Sequence, residues 1–228
     1  MKLIFFGDSL THGSYGVNFV AKVAADLPRH QFINAGVNGD TSFNLFHRVD
    51  TDVIEHKPDG CFIMIGINDA VSYAEPGLRP YYRVAKGVKG GQISPIFFRE
   101  NLRAIFSKLA YASIKTWVAL PPIEYRPEAV AALHEMNAQT RELCAEMSIP
   151  LLDIMSQLAP AVIPARPPIG LSYFRRNFMV GVRGKAVYEK LRTEGSFTYS
   201  FDGIHLTEEG AQRIATTVVK FLKTNGLV

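Results

Sequence analysis

Residues 3–13, "LIFFGDSLTHG", set an apolar run directly against an aspartate, a serine and a histidine. Leu3, Ile4, Phe5 and Phe6 follow one another with no polar residue between them, the pattern of a strand covered on both faces. Gly7-Asp8-Ser9 then supplies turn residues where that strand must end. In an open parallel sheet, ligands bind beyond the carboxyl ends of the strands. The stretch therefore puts Ser9 at that edge, as a turn residue or as a nucleophile. The rest of the chain has to separate the two.

Outward from this point the same rhythm repeats. Strand-like runs are expected at Lys2–Phe6, Gln31–Ala35, Gly60–Ile65, Thr116–Leu120 and Pro150–Ile154. Helical periodicity fills the gaps at Val17–Leu27, Ser42–Glu55, Phe97–Ala112 and Glu128–Met147. A last helix is expected from Glu208 to Lys223, with Thr207 as its N-cap and two glutamates in its first turn. Alternation of this kind means a parallel sheet with helices on both faces, an α/β fold.

At 228 residues, with 47% hydrophobic residues, the chain is in the range of one α/β domain with a substantial core, so residues 1–228 are expected to form a single domain. No apolar stretch nears the roughly 18–20 residues that span a bilayer. Met1-Lys2 leads into only four strongly apolar residues before Gly7-Asp8, too short for a signal-peptide core, so a cytoplasmic location is expected. Cys61 in an apolar strand and Cys144 in a helix read as buried free thiols. Neither has a Cys or His at metal-ligand spacing, so no metal is expected.

Two stretches break the rhythm, at about 76–93 and 157–201, each far longer than an ordinary connection. The first holds Arg79, Arg83, Lys86 and Lys89 and no acid; the second holds seven Arg and Lys against Glu189 and Glu194. With a net charge of +4 for the whole chain, the remainder is acidic. Both stretches follow strands, so their basic charge is expected on the same sheet edge as Ser9.

A serine hydroxyl attacks a carbonyl only when a base takes its proton, and the base needs an orienting partner. His30, His47, His56 and His134 fall on or near helices and read as surface residues, while His12 has nothing to orient it. His205 lies in "FDGIHLTEEG" (201–210), three residues after Asp202 and across a flexible Gly203. An Asp-x-x-His turn can cap a helix, or it can present a carboxylate to one imidazole nitrogen and aim the other at Ser9. Acyl transfer also needs donors for the developing oxyanion, each worth roughly 3 kcal/mol. In "NAGVNGDTS" (34–42), Gly36 and Gly39 free the backbone to supply an amide. In "GINDA" (66–70), Asn68 offers a side-chain amide, although Gly, Asn and Asp are also ordinary turn residues.

These four segments resemble the four blocks of the GDSL, or SGNH, hydrolases. The first block is Gly7-Asp8-Ser9-Leu10, the second "NGDTS", the third Gly66-Ile67-Asn68-Asp69 and the last Asp202-Gly203-Ile204-His205. Ile67 departs from the family pattern, which often has a second glycine there. The resemblance covers residue 1 to about 155 and 202 to 224, and leaves out the two basic stretches. It implies a three-layer α/β/α flavodoxin-like sandwich with a five-stranded parallel sheet in the order 2-1-3-4-5. It also implies a serine esterase, lipase or acylhydrolase that uses no cofactor. Ser9, Asp202 and His205 would be its triad, and Ser9, Gly39 and Asn68 its oxyanion hole. Transfer to an alcohol, or cleavage of a thioester, would use the same triad.

The basic stretches add an expectation about substrate. Arg79 and Arg83 flank Tyr81-Tyr82, and Arg175-Arg176 sit among Tyr173, Phe174 and Phe178, so charge and stacking surfaces are combined. Arginine pairs two-handed with carboxylate or phosphate, which suits an anionic or carbohydrate-linked small-molecule ester. Two readings from other classes compete. A flavodoxin-like binding module would use the same first loop, but it has no need of Asp202 and His205. A sequence pI near 9.0 permits nucleic-acid binding, but the acidic remainder and the lack of a recognition motif argue against it, and no nucleic-acid partner is expected.

Overall fold

Strand β1 (Lys2–Gly7) is buried at every residue after Lys2, as its unbroken apolar run requires. In the computed structural model, which describes residues 1–170, 173 and 187–227, it lies between β2 (Gln31–Gly36) and β3 (Gly60–Met64). Beyond β3 follow β4 (Lys115–Leu120) and β5 (Leu151–Asp153), giving a five-stranded sheet in the order 2-1-3-4-5. All four pairings are parallel. The register sets Gly7 beside both Gly36 and Met64, so the carboxyl ends of the first three strands form one level rim.

The strand order reverses at β1, and right-handed crossovers then sort the helices onto the two faces. Helix α2 (Phe19–Asp26) packs against the C-terminal helix, α10 (Glu208–Thr224). Helices α3 (Ser42–Asp52), α6 (Pro95–Tyr111) and α7 (Pro127–Glu146) pack in succession on the other face. This is the three-layer α/β/α sandwich expected from the alternation. Phe5 touches the rings of both Phe62 on the next strand and Phe19 on α2, with centroids 4.9 and 6.1 Å apart. Burying each such side chain contributes about 1.5–3 kcal/mol. Cys61 and Cys144 are buried free thiols, and no described helix is long and apolar enough to cross a membrane.

The stretch at 76–93 differs from the open loop that its length suggests. It holds a 3-10 turn at Pro76–Leu78, helix α5 (Arg79–Ala85) and a second 3-10 turn at Lys89–Gly91. Pro76 and Pro80 mask the helical pattern, but both stand in the first turns of their segments, where proline is tolerated. Leu78, Tyr82, Val88 and Ile93 bury themselves beneath it. Four more helices lie outside the sequence expectation: the single turn α1 (Ser9–His12), α4 (Ile67–Ala74), which begins inside the third block, α8 (Ile154–Leu158) and α9 (Tyr188–Glu194). Between α8 and α9, residues 159–170 form no helix or strand.

Candidate active site

Ser9 is the first residue of the one-turn helix α1 (Ser9–His12), reached directly from β1. Asp8 caps that turn by accepting the Leu10 amide at 3.0 Å, and Gly13 ends it in the left-handed conformation. The turn fits tightly against β2. A Cβ on Gly36 would stand 2.2 Å from the His12 nitrogen. Gly36 is therefore a packing glycine, and its amide is donated to Oδ1 of Asn34 at 3.0 Å.

The Ser9 hydroxyl lies 3.0 Å from Nε2 of His205, across 196 residues of chain. The other ring nitrogen, Nδ1, lies 2.7 Å from Oδ2 of Asp202. Oδ1 of the same carboxylate accepts the amides of Ile204 and His205 at 3.0 and 2.7 Å. Gly203 makes this tight loop possible: its φ is +94°, and a Cβ there would stand 2.7 Å from the Tyr125 backbone. All three side chains are buried. Burial by itself would raise the Asp202 pKa, but the neighbouring imidazole and three N–H donors hold it below its usual value. Burial would likewise lower the His205 pKa, and the Asp202 charge and hydrogen bond lift it above the usual histidine value instead.

A carboxylate not foreseen from the sequence anchors this loop. Glu124, just beyond β4 and almost fully buried, accepts the amides of Thr198, Tyr199 and Ser200 at 2.9–3.1 Å. It also accepts the hydroxyls of Thr198 and Ser200, each at 2.6 Å. The Ser200 hydroxyl in turn accepts the Gly203 amide, and the Glu124 amide donates to the Gly203 carbonyl, both at 2.9 Å. Only its position after a strand end hinted at this role. On the imidazole's flanks lie Tyr15, 5.7 Å between ring centroids, and Phe201, 6.0 Å away and itself stacked on Tyr188 at 4.3 Å.

Gly39 and Asn68 stand beyond the ends of β2 and β3, the two strands that flank β1. Gly39 has φ +76°, and a Cβ there would meet the Tyr81 hydroxyl at 2.5 Å. Its loop is pinned by Asp40, which pairs with Arg48 at 2.8 Å and Lys86 at 2.9 Å. Asn68 lies in the first turn of α4, and its Oδ1 accepts the Tyr82 hydroxyl at 3.0 Å. The next residue, Asp69, receives the Ser42 amide at 3.0 Å and the Ser42 hydroxyl at 2.6 Å, tying the second and third blocks together. Burial raises the Asp69 carboxyl to about 7, with the Ser42 bonds opposing it.

The arginines are less united. Arg79 is half-buried and donates to the Tyr73 carbonyl at 3.3 Å, whereas Arg83 is exposed on α5. Arg175 and Arg176 lie outside the described residues. Among the described residues, no three His, Cys, Asp or Glu side chains are grouped to hold a metal ion.

Comparison with known proteins places this site in context. The family model for the GDSL-like lipase/acylhydrolase family matches residues 5–213. An acetylxylan esterase of Geobacillus stearothermophilus is 37% identical over a segment spanning 30% of this chain and 39% of that enzyme. The uncharacterized lipoprotein YqeF of Bacillus subtilis (strain 168) is 26% identical, covering 92% of this chain and 84% of its own. Among solved structures, the acetyl xylan esterase AlAXEase superposes with a TM-score of 0.65 at 19% identity, covering 96% of this chain and 98% of its own. A lipase/acylhydrolase from Enterococcus faecalis gives 0.63 at 21% identity, covering 98% and 96%. At such identities the superpositions speak for the fold.

Proposed function

Because the chain belongs to the GDSL-like lipase/acylhydrolase family, a family of ester-cleaving serine hydrolases, we propose that Ser9 is its nucleophile and that hydrolysis passes through an acyl-enzyme. The observation that carries this reading is the continuous hydrogen-bonded line from the Ser9 hydroxyl through His205 to Asp202. With Nδ1–H donated to Asp202, Nε2 keeps its lone pair toward the serine. As Oγ attacks the ester carbonyl carbon, its proton passes to Nε2, and Asp202 stabilises the imidazolium. The carbonyl π electrons move onto oxygen, where the Ser9 and Gly39 amides and the Asn68 side-chain amide receive the charge. Collapse of the tetrahedral adduct breaks the bond to the alcohol oxygen, which takes the proton from Nε2. Water then attacks the acyl-serine with His205 again as base, releasing the acid and restoring Ser9.

The substrate we propose is a carbohydrate-linked ester, supported by the likeness to acetylxylan esterases. Tyr15, half-buried beside His205, offers a ring of the kind that packs against sugars. A panel of p-nitrophenyl esters from acetyl to decanoyl, thioesters and acetylated sugars tests both parts. Turnover is expected on short acyl groups and acetylated sugars, and the Ser9→Ala protein is expected to show none. Hydrolysis retained in Ser9→Ala would end the nucleophile assignment, and activity confined to long-chain esters would end the substrate assignment.

A further inference from the structure

We propose that Tyr82, on the helix of the first basic stretch, is a positioning residue that aims the Asn68 amide at the oxyanion. The inference rests on Asn68 being an oxyanion donor, as proposed above. A primary amide carries an acceptor and a donor on opposite branches of one planar group. Turned over, it would present a carbonyl oxygen to the developing negative charge and oppose the reaction. The fully buried Tyr82 hydroxyl, 3.0 Å from Oδ1, holds the oxygen branch and so decides which branch is left for the substrate. A hydroxyl that must donate has to stay protonated, and burial keeps this phenol well above its ordinary pKa.

The helix that carries Tyr82 is itself fixed. Lys86 at its end bonds Asp40, and the Lys86 carbonyl accepts the Asn44 side-chain amide at 2.8 Å. Farther along, the Ile93 amide donates to the Ser72 hydroxyl of α4 at 3.0 Å. Tyr81, one residue before, lies edge-on to Tyr82 at 5.1 Å and sets its hydroxyl against Gly39. Consecutive tyrosines of α5 thus meet the loop of one oxyanion donor and the side chain of the other. A stretch that composition marked for substrate charge spends its buried face on the geometry of this hole.

A double-mutant cycle with Tyr82→Phe and Asn68→Ala, read as kcat and KM on p-nitrophenyl acetate, separates aiming from mere packing. Asn68→Ala is expected to lower kcat about 100-fold or more, as removal of an oxyanion donor does. Tyr82→Phe is expected to lower kcat about tenfold with KM changed less than about twofold, the effect of one lost hydrogen bond felt in the transition state. In the Asn68→Ala background the same change is expected to have almost no effect. An equal loss from Tyr82→Phe in both backgrounds would overturn the proposal, as would no loss in either. Failure of Tyr82→Phe to fold would also overturn it, by making the hydroxyl a requirement of the core. If Asn68→Ala leaves kcat intact, the donor assignment of Asn68 falls, and the role of Tyr82 with it.

Discussion

Asp202 and His205 act as one titrating unit, because each is the other's main polar partner in a buried loop. Catalysis as proposed needs neutral His205, and its pKa lies above the usual 6.5. Activity is therefore expected to rise with pH through a midpoint above 6.5 and to fade below it, as a kcat/KM profile from pH 5 to 9 would show. Asp202→Asn removes the charge that lifts this pKa, so the midpoint should move to lower pH while kcat drops by about 10⁴-fold. Asp8 behaves in the opposite way to a paired carboxylate. Burial pushes it up to about 7, against its hydrogen bond from Leu10 and the His205 charge. From pH 4 to 7 the folded chain therefore holds a proton there that the unfolded chain has released, and Asp8 lowers stability progressively across that window. Asparagine caps a helix as well as aspartate does and cannot ionise. The Asp8→Asn protein should match the parent near pH 4 and exceed it above pH 7 by a few kcal/mol at most. Melting curves across that range would check it.

Among the elements, the loop of Asp202 and His205 depends most on a distant partner. Both oxygens of Glu124 accept N–H or O–H donors from residues 198–200, so a Glu124→Gln amide, in either orientation, turns an NH₂ toward those donors. The expected cost is about 3 kcal/mol of stability, with a fall in kcat as the imidazole loses its fixed position. Ser200→Ala, which removes the hydroxyl joining Glu124 to Gly203, should cost about 1 kcal/mol. Chemical denaturation with kcat measured in parallel tests both; an unchanged midpoint in Glu124→Gln would refute the anchoring role. The strands and the long helices were legible to within a few residues, since burial on both faces and a 3.6-residue period are local patterns. The helices α4 and α5 were not. The first begins at turn-like residues and the second is masked by prolines, so their helicity rests on packing of Val71, Leu78 and Tyr82 into the core.

For the whole molecule, charge is arranged differently from its distribution along the chain. Lys86, one of four cations in the first basic stretch, already pairs with Asp40. In the second stretch Arg192 pairs with Glu189 at 2.8 Å and Arg166 donates to the Tyr125 carbonyl at 2.7 Å, so these cations are engaged as well. Replacing Arg175 and Arg176 together with glutamine is expected to raise KM several-fold for an anionic ester at low salt and to leave p-nitrophenyl acetate unaffected. Equal changes on both substrates would remove any role in charge selection. The sequence by itself determined the layered α/β class, the strands and the candidate side chains for the proposed chemistry, because these follow from short-range periodicity and residue type. Tertiary structure alone decided that Ser9 and His205 stand within hydrogen-bonding distance, that Gly36 is needed for packing, that Glu124 bonds the segment leading to His205, and that Tyr82 bonds the Asn68 side chain. The crossovers bring separate strand ends onto one rim, and contacts across it depend on how the layers pack, which no local pattern encodes.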